Sequence, residues 1–415
     1  MKKILTLVLA LMMLLGCTVT AAQADEVIEL NLQTLVGDQF YLDKAIEVYN
    51  AKFPQYKVVP TYTVKTEYVD RVLTMFAGKA EFDLVQMNGL SYVMDYAAKG
   101  AILDLTDIIA ESGLDVSPYG ALYQQIVEVM GGRSYGLPYR GGGWVLYYNK
   151  DLFDKEGIPY PEQLTWKEYA DLALRFTKGE GADKQWGGYW YPEPHGLHPA
   201  LQQGSTIMDD DLSAVRSSLE FVNKLYNVDK SMMSIQEKTA TQSYFITEFE
   251  KGNIAMFPNG DWCVSLLMRD AEAGKHNVNW GVAPYPVPDG VAPGTSVGSA
   301  CMFGIPSTSK KVEAAFHFLS WLCSEEGQTI IASNGILTGM INDNIKQAFV
   351  EGSGNPETAT FFEQSYVSDM PLDTRYPELK SIWQEEENLY LLGEQDLDTT
   401  MANYMERREM VLLDN

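Results

Sequence analysis

The 415-residue chain carries 56 acidic and 31 basic side chains, a formal net charge of −25. That length exceeds one ordinary core and implies two domains. So acidic a surface disfavours nucleic acid and anionic membranes as partners, and it says little about a small ligand.

Lys2 and Lys3 precede an almost unbroken apolar run from Ile4 to Leu15. This is the pattern of a secretory signal, and the run is short for a membrane span. Two cleavage patterns fit. Leu14-Leu15-Gly16-Cys17 resembles a lipobox, with the signal ending at Gly16 and Cys17 becoming the lipidated terminus. Ala22-Gln23-Ala24 suits ordinary signal peptidase, with residues 1–24 removed. That cut takes away Lys2 and Lys3 and no acid, so −25 becomes −27. Both patterns place the chain outside the cytoplasmic membrane, anchored to its outer face or secreted into the periplasm or medium. No later run reaches about 18 apolar residues, so the exported chain is expected to be soluble.

Val27 to Leu32 alternates like a strand and leads to a loop at Gly37-Asp38. Leu42, Ile46, Tyr49 and Phe53 recur at helical spacing, and Pro54 stops that helix. Tyr56 and Val58 open a second strand. Val69, Val72, Leu73 and Phe76 mark a helix closed by Gly78. Phe82 to Met87 is a short apolar strand, and Tyr92 to Ala98 a helix. Strands alternating with helices imply parallel β-α units and an α/β class.

Gly141-Gly142-Gly143 reads as a flexible break before a new strand, Trp144 to Tyr148. Thr165-Trp166-Lys167-Glu168 is a capping box that opens a helix running to about Thr177. Residues 179–210 are loop-like and rich in aromatics. A Pro/Gly-rich stretch from Pro284 to Gly298 is a second boundary, and Val312 to Leu322 is helical. Cys263, Cys301 and Cys323 are an odd set without C-x-x-C spacing. They are expected as buried thiols, with neither a disulfide framework nor structural zinc.

Four stretches resemble the family 1 extracellular solute-binding proteins, the group that includes the maltose-binding protein. One runs from Phe82-Asp83-Leu84-Val85 to Gly100-Ala101-Ile102-Leu103-Asp104-Leu105. The next spans Tyr135-Gly136-Leu137-Pro138 to Tyr147-Tyr148-Asn149-Lys150-Asp151-Leu152-Phe153, then Gly157 and Thr165-Trp166-x-Glu168. A third holds Phe249-x-x-Gly252-x-x-Ala255-Met256-x-x-x-Gly260-x-Trp262 and then Trp280-Gly281-Val282-Ala283-x-Tyr285-Pro286. The helix Glu313-Ala314-Ala315-Phe316-x-Phe318-Leu319 also fits. The order and spacing hold across nearly the whole exported chain. Three departures put maltose itself in doubt as ligand. Ile336-Leu337-Thr338 follows Gly335 where the family often has Pro, Gly142 replaces a ligand-binding Glu, and an Asp-Arg pair is replaced near Leu90-Ser91.

The resemblance implies a two-lobed periplasmic-binding-protein-like fold of class II. Each lobe is a mixed sheet flanked by helices, with the ligand cleft between them. It implies residues 25–139 plus 286–325 in one lobe and 140–285 plus 326–415 in the other. Crossings then fall near Tyr139–Gly143, Gly281–Pro286 and Ser324–Thr329. Hinges at such crossings absorb large φ/ψ changes at few residues. It further implies a monomer that uses no cofactor and no metal, captures a small ligand without catalysis and serves an ABC transporter permease. No G-x-x-x-x-G-K-[ST] occurs, so the ATPase is expected on a separate chain.

A sugar offers hydroxyls and a weakly apolar ring face, so its site needs flat aromatics with Asp, Asn or Arg partners. Trp144 and Trp262 are the leading stacking candidates, and Trp190 lies in the aromatic loop. Arg140 borders the first crossing and suits bidentate donation. Asp38, Asn88, Glu193, Ser299, Arg375 and Tyr376 occupy positions where the family lines its cleft. With Arg140 and Arg375 as the expected cleft cations, a neutral or weakly charged carbohydrate is favoured over a polyanion. Two other classes stay open: a glycan-sensing or adhesive module, and a secreted hydrolase. For the hydrolase, Gly294-Thr295-Ser296-Val297-Gly298 matches the nucleophile-elbow pattern but follows a loop-like segment. His195-x-x-His198 lacks a helix to align its two rings, because Pro194, Gly196 and Pro199 intervene.

Overall fold

A computed structural model describes residues 27–181, 184–190, 197–241 and 244–413. The expected signal segment and Cys17 lie outside the described residues. Ile28–Leu35 forms strand β1, whose alternation turns Leu30 and Leu32 into the interior. A 3-10 turn over Val36–Asp38 leads into helix α1, Gln39–Lys52, with Leu42, Ala45, Ile46 and Tyr49 on one buried face. Strand β2 (Tyr56–Thr63), helix α2 (Lys65–Ala77), strand β3 (Leu84–Asn88) and helix α3 (Leu90–Ala98) continue the expected alternation. Both β2 and β3 lie parallel to β1, placing Leu30 beside Val58 and Leu32 beside Leu84.

The Gly141–Gly143 segment is a correction. It lies in the middle of one continuous strand, β4, Leu137–Asn149. These glycines serve close approach. A Cβ on Gly143 would lie 2.5 Å from the Tyr366 ring, and one on Gly141 2.8 Å from the Thr338 carbonyl oxygen. Strands β5 (Trp186–Gly188), β6 (Ile254–Gly260), β7 (Trp280–Ala283), β8 (Thr295–Gly304) and β9 (Ser365–Ser368) follow. The sheet order is β2-β1-β3-β8-β4-β6-β5, with β7 on β4 and β9 on β8. The first half of β4 pairs antiparallel with β8, and the second half with β6 and β7.

Apolar contacts divide the molecule into two lobes. Leu137 and Tyr139 of β4 and Ala300–Phe303 of β8 join a core with Leu30, Leu42 and Phe318. Further along β4, Trp144, Leu146 and Tyr148 face a second core with Tyr169 and Trp383. Val145 and Tyr147 face a third, with Phe249 and Phe257. This period of two buries the second half of β4 on both faces, as in a helix-covered sheet.

The chain passes between lobes again in β8, where Val297 belongs to the second core and Ala300 to the first. The sequence suggested Gly281–Pro286 instead. There β7 stays beside β4, and the loop after it returns Val287 to Thr165. A third passage follows Ile331, with Ile336 in the first core and Ile345 in the third. That is later than Ser324–Thr329, because Cys323 and Ile331 on either side still pack in the first lobe.

Helix α4 (Trp166–Phe176) starts at the expected capping box, where Thr165 Oγ1 accepts from the Glu168 amide and Glu168 Oε2 accepts from the Thr165 amide at 2.7 Å. Helix α5 (Trp262–Glu272) follows β6, and α6 (Val312–Leu322) lies where the sequence put it. Helix α7 (Tyr376–Leu392) returns along the second lobe. Cys263, Cys301 and Cys323 are buried free thiols. Among the described residues no helix is long and apolar enough to cross a membrane.

Candidate functional site

Three segments passing between the lobes leave a cleft, and it contains a cavity of ≈ 340 Å³. Its floor is β4 from Arg140 to Gly142 with Trp144, together with Ser299 and Cys301 of β8. The first lobe contributes Asp38, Phe40, Lys65 and Asn88. The second contributes one face of α5, with Trp262, Ser265, Leu266 and Arg269 at i, i+3, i+4 and i+7, and Tyr376 and Lys380 at i and i+4 of α7.

The aromatic wall is closely packed. Trp144 and Trp262 meet edge-on, with centroids 5.3 Å apart and planes at 90°. His198 packs edge-on against Trp144 at 4.4 Å, and its Nδ1 lies 2.6 Å from the Tyr285 hydroxyl. Burial pushes the His198 pKa down to about 3, so the ring stays neutral. Trp262 contacts all three cores, and Gly260 lies so close beneath it that a Cβ would be 2.0 Å from the indole.

The polar floor is a connected network. Asp38 Oδ2 accepts from Gln86 Nε2 at 2.7 Å and from the Tyr139 hydroxyl at 2.8 Å. Arg140 reaches Asp38 at 3.4 Å and Asp261 at 3.3 Å. Burial works against the charge on Arg140, but the neighbouring groups, Asp261 foremost, together outweigh it and keep the guanidinium protonated. Among the described residues, Arg140 Nε and Asp369 Oδ1 are buried without a hydrogen-bond partner. Orphaned buried atoms are uncommon in folded proteins and fit a site completed by a ligand. Burial lifts Asp369 to about 6, opposed by its bond to Ser299 and by Lys380 and Lys65.

Seven of the residues picked from sequence line this one cavity: Asp38, Asn88, Arg140, Trp144, Trp262, Ser299 and Tyr376. Two do not. Trp190 is buried in the second core, 5.1 Å from the Trp166 ring. Arg375 grips Asp373, two residues away, through Nε at 2.9 Å and Nη2 at 2.7 Å. Glu193 lies outside the described residues.

Sequence reading missed Phe40, Lys65, His198, Arg269, Asp369 and Lys380. The helical period from Trp262 and from Tyr376 was the available signal for Arg269 and Lys380. Lys65, Lys380 and Arg269 also line the cavity beside Arg140, where Arg140 and Arg375 were the expected cleft cations; Arg269 is held by Asp270, with Nε 2.9 Å from Oδ1.

The hydrolase motifs take structural roles. Ser296 lies within β8, fully buried, and donates its hydroxyl to the Trp144 carbonyl at 2.7 Å. That is no strand-to-helix elbow. His198 serves the aromatic wall, and its partner His195 lies outside the described residues.

Residues 33–329 match the model of the bacterial extracellular solute-binding protein family. A sn-glycerol-3-phosphate-binding periplasmic protein of Brucella melitensis is 25% identical over 388 residues, covering 86% of this chain and 87% of its own length. Among solved structures, an ABC substrate-binding protein from Listeria monocytogenes in complex with cycloalternan superposes with a TM-score of 0.81 at 23% identity. That match covers 93% of this chain and 99% of the other. MalE3 of T. maritima with maltose bound gives 0.77 at 20% identity, covering 92% and 100%.

Proposed function

Because the chain belongs to the bacterial extracellular solute-binding protein family, we propose that it captures a carbohydrate in the cleft between its lobes and delivers it to the membrane permease of an ABC importer. The observation that carries this reading is the Trp144–Trp262 pair standing over the Asp38–Arg140 floor. Flat aromatic faces match the apolar face of a sugar ring, and the charged floor matches its hydroxyls. Cycloalternan and maltose, the ligands in two of the similar structures, are saccharides, which supports the same class, while sn-glycerol 3-phosphate, named for the curated relatives, is a phosphate ester with two hydroxyls.

Binding is the whole activity in this reading. The lobes close over the ligand by bending where β4 and β8 pass between them, which shifts the open–closed population. The chain works outside the cytoplasmic membrane as a monomer. Its leader is removed at Ala24, or Cys17 carries the lipid that holds it to the membrane.

A thermal-shift screen tests this. The panel is glucose, maltose, maltotriose, cellobiose, mannobiose, glycerol, sn-glycerol 3-phosphate, putrescine and the standard amino acids. Ligand raises stability by RT ln(1 + [L]/Kd), so saturation at 100-fold Kd adds about 2.7 kcal/mol. A shift by one or more of the saccharides supports the reading, and a shift confined to glycerol or sn-glycerol 3-phosphate overturns the carbohydrate class. A shift confined to amino acids or putrescine overturns it.

A further inference from the structure

Asp369 is held in the cleft by its backbone. It follows β9, and its amide donates to the Gly298 carbonyl of β8 at 2.8 Å. A Cβ on Gly298 would lie 2.6 Å from the Gly142 carbonyl oxygen, so a glycine here lets β4, β8 and β9 close on one another. Two residues on, the Pro371 carbonyl accepts from Ser91 Oγ of α3 at 2.8 Å. Between them, the Met370 sulfur would be 2.7 Å from a Cβ on Gly89. The segment is thus fastened to β8 on one side and to the first lobe on the other. Its carboxylate lines the ≈ 340 Å³ cavity with Ser299, Asn88 and Arg140.

Oδ1 of this carboxylate is buried and has no hydrogen-bond partner among the described residues. An acceptor left unmet away from bulk water costs free energy, and a charged one costs more. Burial opposes the charge, and Ser299 of β8, Lys380 of α7 and Lys65 of α2 support it. Tyr376 of α7 and Cys301 of β8 also act on Asp369, and burial keeps both neutral. Asp38, the other carboxylate among the described lining residues, is taken by Gln86, Tyr139 and Arg140. The two lysines already supply positive charge to Asp369, so the donor that Oδ1 lacks need not be a cation. A neutral hydroxyl completes the set.

We propose that Asp369 Oδ1 accepts a hydrogen bond from a hydroxyl of the bound saccharide, and that this contact couples ligand affinity to the ionisation of Asp369. This rests on the carbohydrate reading above and adds the residue that reads a hydroxyl. The sign of the coupling follows from the contact. The free carboxyl has a pKa of about 6, and a donor to its charged form lowers that value in the complex. The complex then holds fewer protons than the free chain, so affinity is full above pH 6 and falls as the pH drops through it. A ligand that only shields Asp369 from water does the opposite: it raises the pKa, takes up a proton and binds more tightly in acid.

The test is calorimetric titration of the full exported chain with maltose, maltotriose, cellobiose and mannobiose at pH 5, 6 and 7.5. Each titration is run in two buffers of different ionisation enthalpy, which counts the protons exchanged on binding. In wild type, the saccharide that binds does so about tenfold more weakly at pH 5 than at pH 7.5, and roughly half a proton leaves per ligand at pH 6. Asp369→Asn keeps the shape of the side chain and removes its titration. In that variant the pH 5 and pH 7.5 affinities agree within about threefold, proton release disappears, and binding at pH 7.5 is weaker than in wild type. Circular dichroism melts confirm that the variant is folded.

A saccharide that binds wild type with no proton exchange at pH 6, or with proton uptake, overturns the contact and leaves the carbohydrate reading standing. This wild-type count decides the matter even where the variant does not fold. Proton release that persists in folded Asp369→Asn belongs to another group and also overturns the contact. Silence of all four saccharides overturns the contact and the carbohydrate reading together.

Discussion

Arg140 and Asp261 pair inside the molecule, with Nη2 3.3 Å from Oδ1 and side chains only 9% and 0% exposed. Arg140 lies on the strand that passes between the lobes, and Asp261 also accepts from the Leu337 amide at 3.1 Å, on the third passage. One carboxylate thus ties two of the three passages together, and Arg140 carries the tie on to Asp38 in the first lobe.

Arg140→Ala leaves two buried carboxylates without their counter-charge, which costs about 3–5 kcal/mol. Burial raises the Asp261 pKa, with Arg140 opposing. Without Arg140 the pKa rises further, and a raised folded-state pKa means that stability is lost as pH increases through it. The variant therefore recovers part of its deficit as pH falls. Urea denaturation of both proteins at pH 7 and pH 5 checks this, and an unchanged midpoint at pH 7 contradicts it.

Trp144→Ala and Trp262→Ala each weaken ligand binding by about 1–3 kcal/mol, ten- to a hundredfold. They differ in stability. Trp262 joins three cores, so its removal lowers the melting temperature as well, whereas Trp262→Phe keeps much of the packing. Circular dichroism melts run beside the titrations separate the two effects. Full affinity in folded variants excludes stacking on these rings.

The helices and outer strands were legible because their signals are local: the Thr165–Glu168 capping box, the α6 period, the β1 alternation. Strand β4 was misread because three adjacent glycines look like a turn until Tyr366 and Thr338, more than 190 residues away in sequence, are seen pressing on them. Trp144 and Trp262 were legible as aromatics near expected crossings. Trp190 carried the same local signal, and only packing against Trp166 assigns it to the core. Lys65 and Lys380 come from opposite ends of the chain, so their place in one cavity lining is a property of the fold.

Gly143→Ala and Gly142→Ala separate the packing role from the lining role. A Cβ at Gly143 collides with Tyr366 at 2.5 Å, and overpacking of this kind costs about 1–3 kcal/mol. At Gly142 the nearest atoms are 3.5 Å away, on Ser299, so the melting temperature holds. Equal melting temperatures for the two variants contradict the close-approach explanation.

Asp369 gives the apo chain a pH dependence. Burial holds its pKa at about 6, above the unfolded value near 3.9. Its neutral form is favoured by folding, so this contribution is complete below the unfolded pKa and is lost as pH rises through about 6. Asp369→Asn removes the loss. Relative to that variant, wild type falls by on the order of 2 kcal/mol between pH 4 and pH 7. Parallel denaturation curves at the two pH values measure it, and a constant difference contradicts it.

The central claim is that a carbohydrate binds between the lobes against Trp144 and Trp262. The most direct measurement is calorimetric titration of the exported chain, and of its Trp144→Ala/Trp262→Phe variant, with the carbohydrate that gives the largest thermal shift. The account predicts one site per chain in wild type and at least tenfold weaker binding in the folded variant. Unchanged affinity in that variant, or no saccharide bound by wild type, contradicts it.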